Sequence, residues 1–143
     1  MVSISGTRSS DTTSRSTPMK IRVALTLAGV FSIVVVAFGF IGLFAQSNML
    51  PPDDAVTTGV QFFGALIAAR NIPLGLAAIY VIIRRDRVDP TIVLVLSAIV
   101  QLGDTVIGLS HGLPSMGISA GVGAILYAFA AVCVSNARRA IRD

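Results

Sequence analysis

Two charged residues, Arg70 and Asp104, stand inside long apolar stretches of a 143-residue chain. An ionised side chain in hydrocarbon costs about 2.5–3.5 kcal/mol on insertion scales, so each needs a partner or a purpose. Ser97, Gln101, Asp104, Gly108 and His111 recur at intervals of 4, 3, 4 and 3. On a helix that spacing draws one polar stripe. Asn71 follows Arg70, and Pro73 removes a backbone donor, frees the carbonyl of Ala69 and favours a kink. The planar fork of Arg70 suits an anionic group, and Asp104 or His111 could exchange a proton. Arg70, Gln101, Asp104 and His111 are therefore candidate contacts for a small anionic ligand in a pocket open to the outer side. The alternative is a satisfied network, including Asn71, Pro73 and Ser97, that only fixes how helices pack. The inventory argues against an enzyme. With one His, one Cys and no Glu, the chain has no activated nucleophile, no paired carboxylates in the membrane and no ligand companions for His111. No metal and no cofactor are expected.

The elements that position these residues follow from composition. Hydrophobic residues make up 54% and charged ones 13%, with a mean hydropathy of +0.83, whereas soluble domains carry about a quarter charged residues. Four stretches, residues 23–45, 59–83, 91–110 and 116–136, are nearly free of charge. Each approaches or exceeds the roughly 20 residues needed to cross a hydrocarbon layer as a helix, and none alternates as a barrel strand would. The expectation is an all-α, four-transmembrane-helix, up-down-up-down bundle over residues 23–137, in contact with the lipid bilayer. The short link between the second and third spans makes them antiparallel neighbours. Arg70 lies 14 residues before Arg84, and Asp104 15 residues after Asp89, about 21 and 22 Å at 1.5 Å per residue. The two charges share a level, which predicts an Arg70–Asp104 ion pair inside the bundle.

Ten of the 11 Lys and Arg residues fall in the N-terminal tail, the 84–87 loop and the C-terminal end. The other two loops have none, and the first displays Pro51, Pro52, Asp53 and Asp54. The positive-inside rule then predicts a cytoplasmic-membrane protein with both termini cytoplasmic. These charges flank spans, so the net charge of +4 does not point to nucleic acid. Residues 1–22, rich in Ser, Thr and Arg, read as a disordered cytoplasmic tail, and 138–143 as a basic cytoplasmic end. A signal peptide fits poorly, because the apolar run is too long and Leu43 is not small. Cys133 has no partner and reads as packing. Gly117 and Gly121 form a small-xxx-small pair, with a similar surface at Gly39 and Gly42, serving either the bundle itself or a homodimer seam.

The segments Ala69-Arg70-Asn71-Ile72-Pro73-Leu74-Gly75-Leu76 and Gln101-Leu102-Gly103-Asp104-Thr105, continuing to His111-Gly112, carry a resemblance. They resemble the two signature stretches of a family of small four-helix bacterial integral membrane proteins known only as a domain of unknown function. That family pairs Arg with a polar residue before a Leu-Gly segment in the second span, and places Gly-Asp and His-Gly in the third. It often has Asp where this chain has Asn71, and Pro73 is unusual in it. The resemblance covers about residues 25–135; a more distant similarity is to the DoxX-like group. It implies the four-helix membrane fold and no particular activity, substrate or cofactor. Three function classes remain: a site for a small anionic ligand, a small-solute or proton-coupled transporter acting as a homodimer, and an accessory subunit of a membrane complex. A shared polar chamber around Asp104 would favour transport, and a closed bundle with an apolar face would favour the accessory role.

Overall fold

Four apolar stretches become four helices because backbone N–H and C=O groups in hydrocarbon can be satisfied only within the segment or a closed barrel. The structure is a computed structural model describing residues 19–49 and 55–142. Its helices are α1 (Met19–Phe44), α2 (Thr58–Ile83), α3 (Thr91–Ser110) and α4 (Pro114–Arg142), with a short 3₁₀ turn over Gln46–Met49 and no strand among the described residues. All four are long and apolar enough to cross a membrane. Large apolar side chains are exposed along every helix, including Phe38, Phe63, Ile99 and Ile125. A water-facing bundle would carry charges there; this one is a multi-pass membrane protein.

The helix ends follow local chemistry. Thr57 Oγ1 accepts from Val60 N at 3.3 Å at the start of α2, and Asp89 Oδ1 accepts from Thr91 N at 2.9 Å at the start of α3. Between α3 and α4 the chain reverses through Gly112, whose φ of +71° suits a residue without Cβ. There Leu113 N donates to Gly108 O at 2.8 Å and Gly112 N to Leu109 O at 3.3 Å, a Schellman closure. Pro114 then opens α4, where a missing N–H costs nothing.

Two boundaries differ from those read in the sequence. Helix α1 starts at Met19, taking Lys20 and Arg22 out of the tail, and α4 continues through Arg138 and Arg139 to Arg142 instead of giving way to a separate basic end. Extending an existing helix is far cheaper than nucleating one, and Lys and Arg stems can run along apolar surface to reach water. Residues 1–18 of the tail and the Pro51-Pro52-Asp53-Asp54 segment lie outside the described residues.

Packing divides the bundle into two hairpins. Helix α1 lies closely along α2, and α3 along α4; the hairpins meet more loosely through α1 with α4 and α2 with α3. Small residues set the intimacy of each seam. A Cβ built on Gly64 would run into the carbonyl oxygen of Gly42, and one on Gly108 would lie 2.7 Å from Gly117 N. Gly117 and Gly121 thus face α3 within the chain, Gly121 against Thr105 at 3.6 Å. This is the intramolecular use of the small-xxx-small pair.

The apolar core occupies one half of the bundle. It joins Ile21, Ala24, Leu25 and Ala28 of α1 to Ala78 of α2, Leu94 of α3 and the Tyr127-to-Val134 stretch of α4. Cys133 packs at its edge, a half-buried free thiol. This half adjoins the end that carries the basic residues. There Arg138 approaches Asp89 Oδ2 at 3.3 Å through Nη1 and donates through Nη2 to the carbonyls of Val88 and Arg85 at 3.3 and 3.5 Å. The core is capped by a polar contact: Ser32 Oγ donates to Ala28 O at 2.7 Å and lies 2.8 Å from the Tyr127 hydroxyl. Phe31 stands edge-on to Tyr127 at 5.7 Å. Beyond this layer, toward the opposite end, the hairpins no longer fill the space between them.

Candidate functional site

Arg70 and Asp104 meet as their spacing predicts. Arg70 Nη2 lies 2.8 Å from Asp104 Oδ1 and 2.9 Å from Oδ2. One nitrogen spans both carboxylate oxygens, so the guanidinium fork is not used in parallel and Nη1 has no partner among the described residues. Nε donates to Asn71 Oδ1 at 3.4 Å, a long contact. The side chains differ in exposure, 38% for Arg70 against 9% for Asp104. The cation is thus held by the acid from one side and open on the other.

That open side faces a cavity of about 510 Å³ between the hairpins, in the half remote from the apolar core. Its polar wall is Arg70 and Asn71 of α2 with Gln101 and Asp104 of α3. Gln101 is only 6% exposed, yet its amide makes no hydrogen bond to any described residue. Its nitrogen and oxygen are not sealed in, since no buried side-chain polar atom among the described residues lacks a partner. A nearly buried amide at a cavity wall keeps donor and acceptor capacity that no described residue uses.

The remaining candidates take other places. Ser97 is fully buried, but its hydroxyl donates to Val93 O at 2.8 Å in its own helix and does not touch the cavity. Pro73 sits within an unbroken α2, and Asn71, not the freed Ala69 carbonyl, accepts from Arg70. His111 caps the end of α3: it is exposed, and its Nδ1 lies 3.0 Å from both Ser110 Oγ and Ile107 O. It does not line the cavity. The polar stripe therefore holds only while α3 lasts, and the Schellman turn carries the chain away at its final position. Among the described residues no three His, Cys, Asp or Glu side chains gather as a metal site would require.

The sequence reading missed the opposite wall. Phe31, Val34, Val35 and Phe38 of α1, with Met116 and Ala120 of α4, complete the cavity. Apolar residues lining a cavity look like apolar residues lining lipid, so α1 offered no signal. Ser115 and Ser119, four apart and both at the wall, were the one polar spacing on α4 that could have suggested it. The arrangement can bind: it offers a charged donor, a free amide and an apolar enclosure of a size typical for small molecules.

No curated protein and no solved structure matches the chain. A match is found with the family described as Domain of unknown function (DUF4267), over residues 23–135. That span begins within α1 and ends within α4, so it contains the whole cavity wall and both members of the ion pair. The chain belongs to this DUF4267 family.

Proposed function

We propose that this protein is a small-molecule-binding protein of a bacterial inner membrane, with Arg70 receiving an anionic group in the interhelical cavity. The observation that carries the reading is the incomplete use of Arg70. Its Nη2 serves Asp104, while Nη1 and the Gln101 amide have no partner among the described residues, and Arg70 and Gln101 line the same cavity. A bidentate, fully buried pair would leave the guanidinium no donor to offer, whereas this one leaves Nη1 open. Here Asp104 holds the guanidinium in place and offsets its charge in the membrane, and the exposed donors remain for a ligand.

The test is thermal melting of detergent-purified protein with acetate, benzoate and phosphate. A ligand at 100 times its Kd raises the stability of wild type by about 2.7 kcal/mol. The doubly neutral Arg70→Met/Asp104→Leu protein should fold and show no such response. If no anion shifts wild type, or the double variant responds equally, the pair is structural and this reading is wrong.

The basic end of the bundle faces the cytoplasm in this reading, since Lys20, Arg22, Arg84, Arg85, Arg87, Arg138 and Arg139 all lie there. The cavity half then faces outward. A compartment-specific reporter fused after Asp143 should be active only as a cytoplasmic fusion, and one inserted in the 50–54 loop only as an external one. The opposite pattern would invert the topology.

A further inference from the structure

We propose, resting on the reading of Arg70 as an anion-receiving group, that the ligand is a single-chain amphiphile with a carboxylate head. It reaches the site from the lipid, through an opening between α1 and α4. The polarity of the cavity is divided by helix. The charged and amide groups, Arg70, Asn71, Gln101 and Asp104, all come from α2 and α3, whereas the facing wall is apolar on α1 and on α4 joins Met116 and Ala120 to the hydroxyls of Ser115 and Ser119. In the bundle, α1 touches α2 and α4, and α3 touches α4 and α2, so the α1–α4 seam lies directly across from the polar wall. A ligand filling this space has a polar head against α2 and α3 and an apolar body between α1 and α4.

The α1–α4 seam is closed at one level and open at the next. At the core, Phe31 meets Tyr127, and a Cβ on Gly123 would clash with the Phe31 ring. Farther along, Val34 and Phe38 on α1 and Met116 on α4 line the cavity and are also 42%, 52% and 37% exposed. Ser119 shares that position, and its hydroxyl is satisfied by Met116 O at 2.9 Å. Residues that face the cavity and the outside at once form the rim of an opening. Its height follows from the packing: Gly39 abuts Ile72, which sets Phe38 near the level of Arg70, and Gly121 abuts Thr105, which sets Ala120 near the level of Asp104. Arg70 stands near the middle of the 26-residue α2. On α1 and α2 the opening therefore lies at the depth of acyl chains, while on α4 its lining runs through Ser115 and Met116 to the end of the bundle at the α3–α4 turn. The Gln101 amide, 6% exposed and unpartnered, supplies the second hydrogen bond that a carboxylate needs beside Arg70.

The experiment uses the full chain in lipid nanodiscs with three probes: acetate, which has a head and no tail, octanoate, which has both, and octanol, which has the tail without the charge. Octanoate should bind on the order of 100-fold more tightly than acetate, the effect of burying a few methylenes, and octanol at least tenfold more weakly than octanoate. Val34→Trp and Ser119→Trp, made separately at exposed rim positions, should each weaken octanoate at least tenfold while leaving acetate binding and the unliganded Tm unchanged. A diazirine-bearing octanoate should label the α1 and α4 rim. If acetate and octanoate bind equally, or the rim variants leave octanoate untouched, the amphiphile and its lateral route are overturned while the Arg70 site stands. If octanol matches octanoate, the cavity merely fills with apolar matter and the proposal fails. If no probe binds, the reading of Arg70 falls and takes this inference with it.

Discussion

Asp104→Ala will lower the unfolding free energy by about 3 kcal/mol, the lower end of the roughly 3–5 kcal/mol seen when one member of a buried ion pair is removed. The lower end applies because Arg70 is 38% exposed at the cavity and can still be partly solvated. What remains after the substitution is a guanidinium near the middle of α2 whose other partner among the described residues is Asn71 Oδ1 at 3.4 Å. Arg70→Ala leaves the converse problem, a carboxylate only 9% exposed that loses its cation. Arg70→Met/Asp104→Leu removes both charges and should recover most of the loss, because the desolvation of the ions disappears with their attraction. Chemical unfolding in micelles of wild type, Arg70→Met, Asp104→Leu and the double variant measures the coupling directly. Wild-type stability in Asp104→Ala would show that the pair contributes nothing to holding the hairpins together.

The second large effect is expected where no side chain exists. Gly64→Ala places a methyl against the Gly42 carbonyl oxygen, and backbone meeting backbone across α1 and α2 has no rotamer to change. Overpacking of this kind costs about 1–3 kcal/mol, and here the seam must separate to accommodate it. Gly103→Ala is the matched control. A Cβ there meets nothing within 4 Å, so it should be neutral or stabilise by up to about 1 kcal/mol through helix propensity. Equal melting of Gly64→Ala and Gly103→Ala would mean that α1 and α2 are not in backbone contact at this level.

The contrast between these sites shows what could be read before the fold was known. A charge in hydrocarbon announces itself, so Arg70 and Asp104 were legible, and residue counting from a shared end was enough to bring them together. The polar face of α3 was legible too, since Ser97, Gln101, Asp104 and Gly108 are among its buried residues. His111, the last position of the stripe, stands exposed one residue past the helix and outside the cavity lining. Gly64 gave no warning, since a glycine that permits backbone contact looks like any other small residue until its neighbour across the seam is known. The cavity was half legible for the same reason: its polar wall is written in residue types, and its apolar wall is written only in the angle between hairpins.

The uneven distribution of the apolar core also bears on mechanics. Within each hairpin the helices are locked by backbone contact at Gly42–Gly64 and Gly108–Gly117, whereas between hairpins the firm contacts gather near the basic end. The bundle is in effect a pair of stiff arms joined near one end. A small rotation of one arm against the other would change the cavity volume greatly, yet leave both glycine seams and the Ser32–Tyr127 contact in place. Across the open half, the link that such a rotation would strain most is the ion pair between α2 and α3. Arg70 and Asp104 thus act as the tether that sets how far the arms can part.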